Sequence, residues 1–376
     1  MSRSDLTRPI TLHLPPRLEI GAGAAARVGD WAEGVTRTLV IAQPVTAAMA
    51  ERLGLSGQVE IFTDVAPEPK DTDLDAAIEA ARRLRPELIV GLGGGSVMDV
   101  AKLVAVLWNA DQGLADVVGP NRVAGRHARL AQVATTAGTG SEGGIRALVT
   151  SSETGMKLAV ESPQMLADLA VLDPDLTMTV PPTVTAATGV DALAHCVEAF
   201  TNIRAHPLID SFARMGIELA GRHLARAVAD GADAEARANM LLASFYGGIC
   251  LGPVNTAAGH ALAYPLGTHA GLPHGLSVAL LFPHVLAFNA EARPEKTAEI
   301  LHAIGLAPTV DPNRVAGAVA EWCSGLGLTM SLAAQGVGEA DLAPWAEEAH
   351  SIRRLMDNNP RDMDVAEVAA IYRAAY

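Results

Sequence analysis

Up to about residue 173 the chain alternates short apolar runs with amphipathic stretches, and past Pro181-Pro182 it is almost wholly helical in pattern. Arg37-Thr-Leu-Val-Ile-Ala42 is a short apolar run rich in β-branched residues and reads as a buried strand; Val59–Phe62, Leu88–Gly91, Ala131–Ala134 and Leu169–Asp173 read as further strands. Val45–Leu53 reads as a helix. Asp71–Leu84 has clear helical periodicity, with Asp71 or Thr72 as its N-cap. Residues 10–22 alternate loosely and predict an N-terminal strand or hairpin, followed by a short helix over 24–32. Leu148–Ser152 and Lys157–Val160 predict a hairpin around Glu153-Thr-Gly155. Strand, helix, strand, helix, strand is the pattern of a parallel sheet with covered faces.

Beyond Pro182 the chain is rich in Ala and Leu at helical spacing. It predicts helices near 183–201, 207–229, 233–252, 254–265, 275–289, 294–304, 312–326, 339–347 and 364–375. The shift in composition puts a domain boundary at 175–183. That gives an α/β domain over 1–180 and an all-helical domain over 181–376.

Composition narrows the function classes. At 376 residues with 49% apolar content the chain can bury two cores and is not disordered. A net charge of −14 argues against nucleic acid or an anionic membrane as partner. Cys196, Cys250 and Cys323 are too far apart for a disulfide framework or a Cys-x-x-Cys site, which fits a reducing cytoplasm. The N-terminal segment lacks the apolar core of a leader peptide. The longest apolar run, Leu276–Phe288, is too short to span a bilayer and contains Pro283 and His284.

Four stretches carry chemistry. Gly91-Leu-Gly-Gly-Gly-Ser-Val-Met-Asp-Val-Ala-Lys102 places three glycines between a strand and a helix that Ser96 is positioned to cap. Glycines admit close backbone approach, and a helix N-terminus attracts an anion such as a pyrophosphate. The spacing is not Gly-x-Gly-x-x-Gly, and the motif follows the third strand of the series rather than the first. Thr135-Thr-Ala-Gly-Thr-Gly-Ser-Glu142 is a dense cluster of hydroxyls and glycines suited to phosphate, ribose or amide groups. In Gly189–Phe200, Asp191 and His195 lie one helical turn apart on one face. His260, His269 and His274 follow in one short apolar segment. One Asp with two or three His is a mixed oxygen and nitrogen set suited to Fe(II) or Zn(II).

The order GGGSxxDxxK, TTAGTGSE, DP-x-L-x5-PP, GVDALAHCVEAF, HALAYPLG and LPHG resembles the iron-dependent (group III) alcohol dehydrogenase family over nearly the whole chain, from Gly21 to about Arg361. The resemblance implies a Rossmann-like N-terminal NAD- or NADP-binding domain with a parallel sheet, and an all-α C-terminal domain, the architecture shared with dehydroquinate synthase. It implies metal ligands at Asp191, His195, His260 and His274. Cofactor contacts are implied at Gly94, Gly95, Ser96, Asp99, Thr135, Thr136, Thr139 and Lys157. The implied reaction is hydride transfer between nicotinamide C4 and the carbonyl carbon of a small alcohol or aldehyde, with the carbonyl oxygen on Fe(II) or Zn(II). A homodimer is common in the family and is expected here.

Three positions depart from the family pattern. Relatives carry a histidine four residues after the third ligand, where this chain has Tyr264; Tyr264, His269, a ribose hydroxyl and water are the candidate proton donors. NAD-specific members carry an Asp after the second strand, where this chain has Gln43. A carboxylate about 4 Å from a 2′-phosphate would cost about 4 kcal/mol at an effective dielectric near 20. Gln43 removes that penalty, so NADPH is expected to be accepted. Arg146 stands where a smaller or uncharged residue is frequent; as a bidentate anion ligand it would select an anionic aldehyde or keto acid, and as a structural ion pair it would not. Maleylacetate reductases share several local features, but usually lack the Asp at the first ligand position. Dehydroquinate-synthase-like lyases share the architecture with different motifs.

Overall fold

The computed structural model describes residues 6–376; the first five residues of the N-terminal segment read above lie outside them. The chain forms two compact units. One is Leu12–Thr179; the other is Val180–Tyr376 together with the described part of Met1–Thr11. Residues 6–11 thus group with the helical unit, away from the 1–180 span expected of the first domain.

The first unit holds nine strands: β1 (Arg17–Ile20), β2 (Arg37–Ile41), β3 (Gln58–Phe62), β4 (Leu88–Gly93), β5 (Gly119–Pro120), β6 (Arg129–Ala134), β7 (Arg146–Thr150), β8 (Lys157–Glu161) and β9 (Leu169–Leu172). Its α-helices are α1 (Arg27–Trp31), α2 (Asp71–Leu84), α3 (Gly95–Leu107) and α4 (Leu114–Val117). Six strands form one parallel sheet in the order β1-β9-β6-β4-β2-β3. Parallel strands need both faces covered, which explains the continuous apolar runs read in the sequence. On one face α2 and α3 pack Leu74, Ile78, Val100 and Leu103 against Leu39, Ile41 and Ile89. On the other, Val28 and Leu53 pack against Val40, Val90 and Val133. The expected hairpin is β7 with β8, antiparallel, with β5 on its far edge.

Several expectations change in detail. Residues 10–22 give the single strand β1, paired with β9 rather than with a hairpin partner. The stretch read as a helix over 45–53 is a 3₁₀ helix, Ala47–Leu53, ended by Gly54 at φ 63°. The N-cap of α2 is Lys70, whose N–H donates to Asp73 Oδ2 at 2.9 Å, so the acidic residue acts from inside the first turn. Gly94, not Ser96, precedes α3, and Ser96 lies inside the helix.

The helical unit contains α5 (Pro182–Thr201), α6 (Pro207–Ala229), α7 (Ala234–Leu251), α8 (Ala258–Ala270), α9 (His274–Asn289), α10 (Pro294–Ala303), α11 (Pro312–Gly325), α12 (Leu342–Ser351), α13 (Arg353–Met356) and α14 (Val365–Ala375). α5 is its central helix and is buried from Val190 to Thr201. The buried Arg237 of α7 holds its first turn, donating to Thr185 Oγ1 at 2.8 Å and to Val180 O at 3.0 Å. The helix expected over 254–265 begins later, at Ala258, and runs through Pro265 to Ala270. With the 3₁₀ turn that follows it, α9 forms a helical run of 19 residues, His274–Ala292, longer than the run read in the sequence and apolar enough to cross a bilayer. Most of it is buried inside the fold, as a core helix is.

Candidate metal centre and cofactor cradle

Three helices of the second unit bring four side chains together. Asp191 and His195 come from α5, His260 from the first turn of α8, and His274 from the first residue of α9. Ligand atoms of Asp191, His195 and His260 all lie within 4.8 Å of one another. Asp191 Oδ1 is the common neighbour, 3.3 Å from His260 Nε2, 3.7 Å from His274 Nε2 and 4.0 Å from His195 Nδ1. Donors about 2.1 Å from one tetrahedral cation would sit roughly 3.4 Å apart. The observed separations bracket that value.

The donors are otherwise unsatisfied. Asp191 Oδ1, His195 Nδ1 and His260 Nε2 are buried and make no hydrogen bond. Buried polar atoms without partners are costly, and three of them within reach of a single ion fit a metal ligand set. Burial opposes charge on Asp191, but His195, His274 and His260 around it win and hold its carboxyl well below the usual carboxylate range. Burial lowers the His195 imidazole to about 4, so it presents a neutral ring at pH 7. For His260, burial is outweighed by Glu198 and Asp191, which raise it to about 10. The one oxygen and three nitrogens fit a divalent Fe or Zn ion. Cys196, next to His195, is a buried filler whose thiol burial pushes up to about 12.

The first unit builds a second feature at the carboxyl ends of its strands. From β2 the chain proceeds to β3 on one side and to β4 on the other. The strand order therefore reverses between β2 and β4, where open parallel sheets bind ligands. Gln43 follows β2, its amide held by Val65 O at 3.1 Å. Gly94 and Gly95 follow β4, and Thr135 follows β6 with its N–H on Gly93 O at 3.0 Å. The Thr136 and Thr139 side chains fold back onto the glycines. A Cβ at Gly95 would lie 2.5 Å from Thr139 Cγ2, and one at Gly94 would lie 2.9 Å from Thr136 Oγ1. Two loops in such close contact, one of them opening α3, suit a pyrophosphate.

Not every residue expected at a site is free to serve there. Asp99 sits against α3's own unit: its Oδ1 accepts from Ser141 at 2.5 Å and its Oδ2 from the Leu148 N–H at 2.9 Å. It is a clamp between α3, the Thr135–Glu142 loop and β7. Lys157 pairs with Glu68, which also donates its N–H to Ser96 Oγ at 3.4 Å. Arg146 pairs with Glu161 across the β7–β8 hairpin at 2.5 Å, as the ion-pair alternative expects. His269 is turned to Glu348 at 2.6 Å and stacks on Trp345, with ring centroids 5.8 Å apart. Tyr264 does reach the cluster: its ring is 6.4 Å from that of His274, and its hydroxyl accepts from Arg354 Nη2 at 3.0 Å.

Two features escaped the sequence reading. Glu198, buried beside His260, is three residues after His195 on the same face of α5, a spacing that could have flagged it. The other is a buried ionic group. Lys102 is fully buried, donates to Ser141 Oγ and Arg146 O, both at 2.8 Å, and is pushed down to about 8 by burial. Near it Glu142 is buried with neither carboxylate oxygen hydrogen-bonded, and burial pushes its carboxyl up to about 7 although Lys102 opposes this. A carboxyl that binds its proton more tightly when folded stabilises the fold fully below the unfolded value of 4.5, and this contribution is lost as pH rises through 7. Urea unfolding of Glu142→Gln at pH 5, 6 and 7 should therefore lose less stability over that range than the native chain, by about 1 kcal/mol per pH unit. Parallel pH profiles would contradict the assignment.

The chain matches the model of the iron-containing alcohol dehydrogenase family over residues 15–174 and the C-terminal model of the Fe-containing alcohol dehydrogenase family over 185–376. It is 35% identical over 383 residues to long-chain-alcohol dehydrogenase 1 of Geobacillus thermodenitrificans, covering 96% of this chain and 95% of that protein. It is 35% identical over 324 residues to 1,3-propanediol dehydrogenase of Klebsiella pneumoniae, covering 85% of this chain and 84% of that protein. Among solved structures, 1,3-propanediol oxidoreductase superposes with a TM-score of 0.92 at 31% identity, covering 98% of this chain and 100% of that one. Sulfoacetaldehyde reductase of Bifidobacterium kashiwanohense, in complex with NAD+, superposes at 0.88 with 29% identity, covering 98% and 99%.

Proposed function

Because the chain belongs to the iron-containing alcohol dehydrogenase family, an oxidoreductase family, we propose that it interconverts a small primary alcohol and its aldehyde with NAD or NADP, using one divalent Fe or Zn ion. The observation that carries the reading is the buried knot of unpartnered donor atoms at Asp191, His195 and His260, with His274 beside them. When bound, the cation supplies electrophilic polarisation of the substrate oxygen and the dinucleotide supplies or accepts the hydride.

The chain's own residues do the rest. Asp191 contributes the one negative charge of the donor set and offsets part of the cation's charge. His195 and His260 present ring nitrogens from buried positions that exclude water. The backbone N–H groups that open α3 and the hydroxyls of Thr135, Thr136 and Thr139 bind the pyrophosphate and nicotinamide side of the dinucleotide. Tyr264 Oη accepts from Arg354, which leaves its own proton to donate. With His269 engaged by Glu348, Tyr264 is the better supported proton carrier of the two.

The end of β2 carries Gln43 and no carboxylate, so the 2′-phosphate of NADPH meets no repulsion from that residue. Steady-state reduction of an aldehyde panel should give kcat/KM with NADPH at least equal to that with NADH. A ratio strongly favouring NADH would refute this. The same panel, run with Fe(II), with Zn(II) and with chelator, tests the reading as a whole: full activity after complete metal removal would overturn it.

A further inference from the structure

We infer that Glu198 is a positioning residue of the metal centre, fixing the tautomer and orientation of His260 so that Nε2 is offered to the cation. The inference rests on the metal-site reading above.

Glu198 Oε2 lies 2.6 Å from His260 Nδ1. A carboxylate can only accept, so Nδ1 keeps its proton and Nε2 is the nitrogen left to bind a cation, giving up any proton it holds when it does. Nε2 is the atom found buried, unpartnered and 3.3 Å from Asp191 Oδ1. The same carboxylate fixes the backbone that carries the ring. Its Oε2 accepts from the Ala257 N–H at 3.1 Å, and its Oε1 from the His260 N–H at 3.2 Å. Ala257 precedes α8 and offers no side-chain cap of its own, so Glu198 caps α8 from α5. Gly259 makes room for this: a Cβ there would stand 2.5 Å from Glu198 Oε1. Of the three clustered imidazoles, His260 is the one with a buried carboxylate on its second nitrogen among the described residues. Carboxylates so placed raise the basicity of a ligating imidazole and lock its ring.

The test separates a cap from a positioning residue. Glu198→Gln keeps size and one acceptor oxygen, but its amide NH₂ must face a backbone N–H or Nδ1. Facing Nδ1, it favours the tautomer with the proton on Nε2. Apo-protein prepared with chelator is titrated with Zn²⁺ against a chromophoric competitor, with circular dichroism as the check on folding. The native chain should bind one equivalent, and folded Glu198→Gln should bind 10–100-fold more weakly. Affinity within twofold of native in a folded variant would overturn the proposal. Failure of the native chain to bind Zn²⁺ would instead overturn the metal-site reading. A second measurement needs no variant to fold: long-range ¹H–¹⁵N spectra of the native zinc form should show His260 protonated at Nδ1, and a proton on Nε2 would overturn the proposal.

Discussion

Asp191→Asn is expected to empty the metal centre and to lower kcat/KM for aldehyde reduction by about three orders of magnitude, equivalent to about 4 kcal/mol of transition-state stabilisation. Asp191 Oδ1 is the neighbour common to His195, His260 and His274, and it supplies the only negative charge among the four donors. The amide is nearly isosteric, so packing in the middle of α5 is preserved. It brings no charge, and one of its two terminal atoms becomes a donor. A cation held by three imidazoles alone keeps its full charge in a buried place, which is costly. Folding should survive, because the native oxygen makes no hydrogen bond within the protein that the amide would break. Elemental analysis and kinetics on the same preparation give the answer. Stoichiometric metal with kcat/KM within tenfold of native would show that the cation sits elsewhere.

The largest stability effect is expected at Asp99. Asp99→Ala should cost about 3–5 kcal/mol in urea unfolding, because it strands a buried cation. Lys102 has no exposed surface, and Asp99 is its nearest carboxylate partner at 3.9 Å. Ser141 links the two, donating to Asp99 while accepting from Lys102. Removing the carboxylate also leaves the Leu148 N–H without its acceptor. Asp99→Asn retains an oxygen for one of these donors and should cost less. A loss under 1 kcal/mol for Asp99→Ala would mean that Lys102 is neutral in the fold. The pair also accounts for the motif: Asp99 and Lys102 are one turn apart on α3 and lock that helix onto the Thr135–Glu142 loop, one side of the proposed pyrophosphate cradle.

Local periodicity announced most of this fold. Apart from the four-residue α13, absent from the expected elements, the helices from α5 to α14 follow apolar spacing that needs no partner to be read, and the parallel strands of the first unit are short segments between its helices. The Asp191–His195 pair was readable for the same reason, since four residues make one helical turn. Joining His260 and His274 to it depended on family resemblance, because nothing in α8 or α9 by itself says that they meet α5. What stayed hidden is what depends on distant partners. Ser96 reads as a cap because it is a small hydroxyl after glycines, yet the turn starts earlier and its oxygen is taken by Glu68. Arg146 reads as an anion receptor or as half of an ion pair, and the partner for the second, Glu161, is visible only once the hairpin register sets it opposite. Lys102 carries no local sign of burial, because the loop and strand that close over it are distant along the chain.

The placement of β1 governs how the sheet can assemble. Its register runs Arg17 with Leu169 to Ile20 with Leu172, and among the described residues it has no other strand partner. During synthesis this first strand has nothing to pair with until the ninth leaves the ribosome, on the order of ten seconds later at ordinary elongation rates. Contacts so far apart along the chain close slowly, and an early strand left waiting is open to mispairing with other nascent chains. Yield on expression should thus depend on temperature and on chaperone supply more than the stability of the finished protein would suggest.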